Sequence, residues 1–225
     1  MRLEVADSAQ TAAECGAALL ADRLRAAVAA RGSASAAVSG GHTPWTMLRV
    51  LADMEVPWDR VCFLQVDERA CDIDDDDRNY KHLQSSLPAG SRIEPMPVED
   101  GEPGAGAYAD RLAEVAGTPP RIDVVHLGLG PDGHTASLVP GDPVLDVIDR
   151  PVAWTRAYQG NRRMTLTYPV LNDARFVFWL VTGASKHAAL ERLVAGDRGI
   201  PAGRVTALER MVIADAEAVR GVSTS

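Results

Sequence analysis

No run of about eighteen consecutive apolar residues, the length a membrane-spanning helix needs, occurs in this 225-residue chain. Its first residues, Met1 to Asp7, carry Arg2, Glu4 and Asp7 where a secretory leader requires an apolar stretch. A basic excess is missing too: 23 Lys and Arg stand against 31 Asp and Glu, for a net charge of -8. Nucleic acid and anionic membranes recruit proteins through positive surfaces, so neither is an expected partner. Cysteine is scarce. Cys15, Cys62 and Cys71 are odd in number and form no Cys-x-x-Cys, which argues against a disulfide framework, a thiolate zinc site or redox work, and for a reducing, cytoplasmic setting. No two histidines lie at zinc-ligand spacing. The acidic run Asp72 to Asp77 lacks the glycine and distal glutamate of a calcium loop and reads as a solvated, self-repelling segment. No metal and no organic cofactor is expected.

What is present describes an ordinary globular enzyme-sized chain. Hydrophobic residues make up 46% and charged residues 24% of it, enough to build a real core. No repeat, low-complexity tract or linker divides it, and the Pro-, Gly- and acid-rich stretch from Pro88 to Gly106 reads as a surface loop, so one domain over residues 1–225 is expected. Thr11 and Glu14 form a capping-box pattern ahead of a long helix whose Ala13, Ala17, Leu20, Leu24 and Val28 share a face, with Gly32 ending it. Short apolar runs at 34–38, 61–66, 122–127 and 176–181 read as strands buried on both faces. Helical patterns lie between or after them, near Trp45 to Ala52, Tyr80 to Leu87, Tyr108 to Val115 and Ser185 to Val194. The alternation predicts an α/β fold, a largely parallel sheet covered by helices on both faces.

In such sheets ligands bind beyond the carboxyl ends of the strands. Four polar segments fall there: Ser39 to Pro44, Asp67 to Arg69, Gly128 to Pro140 and Thr182 to Lys186. Within the first, Ser39, Gly40, Gly41 and Thr43 have the chemistry of an anion site. The glycines let the backbone turn its N–H groups outward, and the following helix N-terminus adds partial positive charge. The bland alternative is a strand-to-helix turn with Thr43 as N-cap and Pro44 in the first helical position. His42 beside them is either a substrate contact or simply solvated.

Gly128, Gly130 and Gly133 fit G-x-G-x-x-G directly after a strand. A dinucleotide fingerprint also demands a long helix next and an acidic residue closing the following strand. Pro140 and Gly141 stop any helix after about a turn and a half, and no strand ends in such an acid, so nicotinamide binding is not expected.

The run from Gly128 to Pro140, GLGPDGHTASLVP, resembles the G-x-G-x-D-G-H-T-A-S-L-F-P signature of the 6-phosphogluconolactonase family. SGGHTP at 39–44 is similar to that family's S-G-G-x-T-P loop, Asp67-Glu68-Arg69 to its D-E-R segment, and Asn79-Tyr80 to its N-Y pair. RMTLT at 163–167 and VTGASK at 181–186 resemble R-I/M-T-L-T and V-T-G-x-x-K, in family order. The resemblance implies the three-layer α/β/α fold of glucosamine-6-phosphate deaminases and ribose-5-phosphate isomerases. It also implies hydrolysis of 6-phospho-D-glucono-1,5-lactone in the oxidative pentose phosphate pathway, with the sugar-phosphate lactone as the small-molecule partner.

The chemistry supports that expectation independently. Opening a lactone needs a water deprotonated near neutral pH and a partner for the oxyanion formed at the carbonyl. His134 could supply the base, since imidazole is the side chain that titrates nearest physiological pH, and a place in a first helical turn would help keep it neutral. Asp132 is expected to cap that helix rather than orient the ring. Arg69 would meet the oxyanion or sugar oxygens, and Asp67 would accept from sugar hydroxyls. Lys186 opens a helix, where a cation opposes the dipole unless an anion joins it. Mainly on the resemblance, Arg163 and Lys186 are assigned to the phosphate, and Arg162 would point the other way on an extended segment. Two other functions compete: an amino-sugar phosphate deaminase or isomerase, whose pattern continues I-A-F-N after D-G-H, and a sugar-phosphate sensor without turnover. Thr135-Ala136-Ser137-Leu138 speaks against the first, and intact His134 and Arg69 against the second.

Overall fold

The computed structural model describes residues 1–221; the last four residues of the expected domain lie outside it. Its centre is a seven-stranded sheet in which every pairing is parallel. In chain order the strands are β1 (Arg2–Ala6), β2 (Ala34–Val38), β3 (Val61–Gln65), β5 (Arg92–Glu94), β6 (Val124–Leu127), β9 (Val177–Val181) and β10 (Arg210–Asp215). Across the sheet they run β1-β10-β9-β6-β2-β3-β5. A small antiparallel sheet, β4-β8-β7, joins β4 (Asp67–Arg69), β8 (Arg163–Leu166) and β7 (Val152–Trp154). The helices are α1 (Ala9–Arg31), α2 (His42–Ala52), α3 (Asn79–Ser86), α4 (Glu102–Ala116), α5 (Tyr168–Asp173), α6 (His187–Val194) and α7 (Ala216–Val219).

Strand periodicity builds the layers. Successive side chains point to opposite faces, so Phe178 and Leu180 join Phe63, Met211 and Ile213 in one core under α1, α2 and α3. Val177, Trp179 and Val181 pack with Leu64, Val125, Leu127 and Val212 in the other, under α4 to α7 and the small sheet. The expected three layers are present. So are six strands that the apolar runs did not mark: β1, β4, β5, β7 and β8, which are short or at an edge, and β10, which lies between β1 and β9.

Three local expectations change. The N-cap of α1 is Ser8, whose hydroxyl accepts from Thr11 N–H at 3.1 Å, so Thr11 lies inside the helix; Gly32 ends it in the left-handed region as expected. Helix α2 starts at His42 with Gly41 as N-cap, so Thr43 caps nothing. Pro44 still costs little, because the first four helical N–H groups have no partner within the helix. The Pro88 to Gly106 stretch is no plain loop: it contains β5 and the first turn of α4.

Among the described residues no helix is long and apolar enough to cross a membrane. No group of three or more His, Cys, Asp or Glu is arranged to hold a metal ion there. Cys15, Cys62 and Cys71 are all free thiols.

Candidate active site

The chain leaves β2 towards β3 on one side of the sheet, while β6 and its successor β9 lie on the other. That reversal opens a crevice between the ends of β2 and β6. Here Gly128 N–H donates to Ser39 Oγ at 3.3 Å, joining the two loops. Around them lies a cavity of about 270 Å³, lined by Ser39, Gly40 and Gly41 after β2, Asp67 and Arg69 of β4, and Asn79 of α3. Gly128, Leu129, Gly130, His134 and Ala136 after β6, Arg163 of β8 and Lys186 before α6 complete the lining. Eight of the nine anticipated residues meet in this one space. Thr43 is the exception: its hydroxyl pairs with that of Thr182 at 2.7 Å, tying α2 to the end of β9. His42 is exposed and also outside the cavity.

Charge is distributed against the protein's average. Three cations, Arg69, Arg163 and Lys186, line the cavity with one carboxylate, Asp67, in a chain of net charge -8. Arg69 and Arg163 are register partners across the β4–β8 ladder. Like charges directly opposite each other in a sheet repel, an arrangement an anion between or above them relieves. Arg163 is buried and its Nε has no hydrogen-bond partner. Burial holds the Lys186 ammonium below the usual lysine range, with Asp132 pulling it back up. No side chain caps α2, so its first N–H groups add to the same positive potential. Arg162 turns away as expected and donates to Glu102 at 2.7 Å.

His134 corrects the sequence reading. No helix follows Gly133. Thr135 and Leu138 bridge across a tight turn with Ala136 at φ 48°. Side-chain bonds compete with a helix here: Thr135 Oγ1 donates to the Gly128 carbonyl at 2.8 Å and accepts from Trp179 Nε1 at 3.3 Å, while Ser137 Oγ donates to Asp67 Oδ2 at 2.6 Å. Alternate residues of the HTAS run thus face opposite ways. His134 and Ala136 line the cavity, and Thr135 and Ser137 anchor the loop and Asp67.

With no helix to cap, Asp132 orients the ring. His134 Nδ1 lies 2.6 Å from Asp132 Oδ1, which also accepts from the His134 backbone N–H at 3.2 Å. An ionised carboxylate only accepts, so Nδ1 carries the proton and Nε2 keeps a free lone pair. Burial alone would raise the Asp132 carboxyl, but the His134 backbone N–H and ring hold it below the ordinary carboxylate value.

Two glycines are sized for their neighbours. A Cβ on Gly130 would lie 2.0 Å from His134 Nδ1, and one on Gly40 would lie 2.0 Å from Asn79 Oδ1. Asn79 in turn donates from Nδ2 to the Asp67 carbonyl at 3.0 Å. Gly40→Ala is therefore expected to expel the Asn79 side chain, costing about 1–3 kcal/mol of stability by overpacking. Thermal melts of purified Gly40→Ala should show that loss, and an unchanged midpoint would contradict the fit.

The sequence reading passed over Glu68. Fully buried, it accepts from Gln65 Nε2 and from the backbone N–H groups of Arg69, Asn79 and Tyr80, all at 2.7–2.8 Å. Its ion pair with buried Arg78 is 3.4 Å long. Burial raises its carboxyl, and those four donors pull it back down. Glu68 thereby pins the start of α3, and with it Asn79, to the strand that carries Asp67 and Arg69. Arg69 itself donates to the Asp77 carbonyl at 2.7 Å, which fixes the guanidinium at the cavity.

Comparison with known proteins agrees with this architecture. A family model described as glucosamine-6-phosphate isomerases/6-phosphogluconolactonase matches residues 7–213. A 6-phosphogluconolactonase of Synechocystis sp. is 39% identical over 185 residues, covering 77% of this chain and 76% of that one. The crystal structure of a 6-phosphogluconolactonase from Shewanella baltica superposes with a TM-score of 0.85 at 25% identity, covering 96% of this chain and 98% of that one. A monomeric glucosamine-6-phosphate deaminase shares the fold, with a TM-score of 0.81 at 17% identity over 98% of this chain and 99% of the other.

Proposed function

The chain belongs to the family of glucosamine-6-phosphate isomerases and 6-phosphogluconolactonases, and within it we propose that this protein hydrolyses 6-phospho-D-glucono-1,5-lactone to 6-phospho-D-gluconate. One observation carries the reading: a histidine with a free Nε2, backed by a carboxylate, opens into a cavity lined by three cations. The first can activate water; the second suits a phosphorylated substrate and an oxyanion. The lactonase reading is favoured over a deaminase because the curated relatives carry the lactonase name. The three free thiols suit a reducing, cytoplasmic setting, and the family match over residues 7–213 supports a single catalytic unit.

In this mechanism His134 Nε2 takes a proton from water as the oxygen attacks the lactone carbonyl carbon. Asp132 stabilises the imidazolium that forms. The carbonyl π bond gives way to a tetrahedral oxyanion, met by the Arg69 guanidinium or by N–H groups of the Gly128–Gly130 turn. As the carbonyl reforms, the bond to the ring oxygen breaks and the imidazolium returns its proton to that oxygen. Asp67, held by Ser137, accepts from sugar hydroxyls. Arg163 and Lys186, with the Ser39–Gly41 loop, hold the phosphate.

The test is lactone consumption by purified protein against the spontaneous background. Because phosphate contacts are made equally before and during the reaction, Arg163→Gln or Lys186→Gln should raise KM about tenfold or more while kcat changes little. Unphosphorylated gluconolactone should behave as a poor substrate. Equal kcat/KM for the lactones with and without phosphate would overturn the phosphate assignment.

A further inference from the structure

The segment Arg156 to Arg162 between β7 and β8 takes no part in the chemistry above, yet it carries an aromatic ring into contact with both ends of the site. The Tyr158 backbone N–H donates to the Asn161 carbonyl at 2.9 Å, closing a tight turn with Gln159 at φ 51°. From that turn the Tyr158 hydroxyl donates to Asp132 Oδ2 at 3.3 Å, the carboxylate oxygen that His134 does not use. The same ring meets His134 edge-on, with centroids 5.5 Å apart at 68°. The Arg163 guanidinium carbon sits 5.1 Å from the ring centroid, and Arg163 Nη2 donates to Gln159 Oε1 at 3.3 Å.

We infer that Tyr158 is a positioning residue for the lactonase reaction, its hydroxyl tempering the Asp132–His134 pair and its ring bracing His134 and Arg163 in one geometry. This rests on the proposed function. The two halves of the side chain act separately. The hydroxyl shares the Asp132 charge and so weakens the carboxylate's hold on a protonated His134. Burial raises the Tyr158 phenol, and Asp132 raises it further, so it stays a donor across the working pH range. The ring offers an aromatic face to Arg163, which leaves the guanidinium N–H groups that Gln159 does not take to turn towards an anion. Other charges facing the pair are few: Lys186 acts on Asp132, and Arg69, Arg163 and Asp67 line the same cavity.

Tyr158→Phe and Tyr158→Ala separate the two parts. The Phe variant keeps the ring and removes the donor. Asp132 stays in place through its bond to the His134 backbone N–H, so its pull on the imidazolium strengthens. The acid limb of the kcat/KM profile, and the midpoint of the His134 ring titration followed by NMR, should move to higher pH by several tenths of a unit. KM should stay near the parent value. The Ala variant should raise KM several-fold, and the Phe variant should rescue that defect while keeping the shifted pH profile. The ring titration is read without substrate, so it tests Tyr158 even if the parent protein proves inactive on the lactone, an outcome that instead overturns the proposed function. Phe and Ala variants that both match the parent in ring titration and KM, or that lose only thermal stability, would overturn the inference.

Discussion

Replacing His134 by alanine is expected to lower kcat for the phosphorylated lactone by about 10²- to 10⁴-fold, the usual contribution of a positioned general base, with KM changed only a few-fold. The ring occupies an open cavity and its side chain is 21% exposed, so its removal empties no core and the melting midpoint should hardly move. Asp132→Asn should be almost as damaging for a different reason. An asparagine can turn its amide N–H₂ towards Nδ1, which drives the proton to Nε2 and abolishes the base. A serine at 132 would instead leave the tautomer free, so Asp132→Ser should retain more activity than Asp132→Asn. Turnover by His134→Ala at the parent rate, measured above the spontaneous background, would remove His134 from the mechanism.

The residues that make this prediction were legible in the chain because the topology is. Buried runs such as Phe176 to Val181 identify central strands, and a parallel sheet delivers whatever follows each run to the same edge. Ser39, Asp67, Gly128 and Lys186 therefore meet although they are far apart in sequence. What the apolar runs do not mark are strands of another kind. β4, β7 and β8 each have three or four residues and form an antiparallel ladder at the rim. In β8, Arg163 and Thr165 alternate with Met164 and Leu166, a pattern too short to separate from a loop. Yet this ladder sets Arg163 opposite Arg69, the feature that most strongly demands an anion.

The misread loop after β6 shows a second limit. Its composition allowed a short helix, and a helix would have made Asp132 a cap. Side-chain hydrogen bonds from Thr135 and Ser137 decided otherwise, and their partners Trp179, Gly128 and Asp67 are remote in sequence. Glu68 escaped for a similar reason. The motif gives it no role between Asp67 and Arg69, and only the fold reveals that it serves the backbone of α3. Spacing identifies which residues share an edge. Which of them face the ligand depends on donors and acceptors supplied from elsewhere.

His126 predicts the largest effect on stability. It lies in β6 with Val38 and Phe178 as register neighbours, fully buried, its ring 5.1 Å from that of Phe178. Neither ring nitrogen has a hydrogen-bond partner. Burial without a partner drives its value down from 6.5 to about 3, so the folded protein holds this imidazole neutral while the unfolded chain protonates it near pH 6.5. Between those two values the unfolded state binds the extra proton, and stability rises with pH. Descending from pH 6.5, the protein should lose close to 1.4 kcal/mol per pH unit from this group, on the order of 5 kcal/mol by pH 3. That is comparable to the whole stability of many domains. Other groups act lower or with the opposite sign. Asp132 and Glu99, with depressed carboxyls, lose their contribution only below the ordinary carboxylate range. Glu68, with a raised one, favours the folded state as pH falls through its own window. His126→Leu replaces the ring by an apolar side chain of similar size and removes two unpaired buried nitrogens, so at pH 7.5 it should be at least as stable as the parent. Urea unfolding at pH 7.5, 6, 5 and 4.5 should then give a steep decline for the parent and a shallow one for His126→Leu, with lactone hydrolysis at pH 7.5 unaffected. Parallel declines in the two proteins would show that another group carries the acid sensitivity.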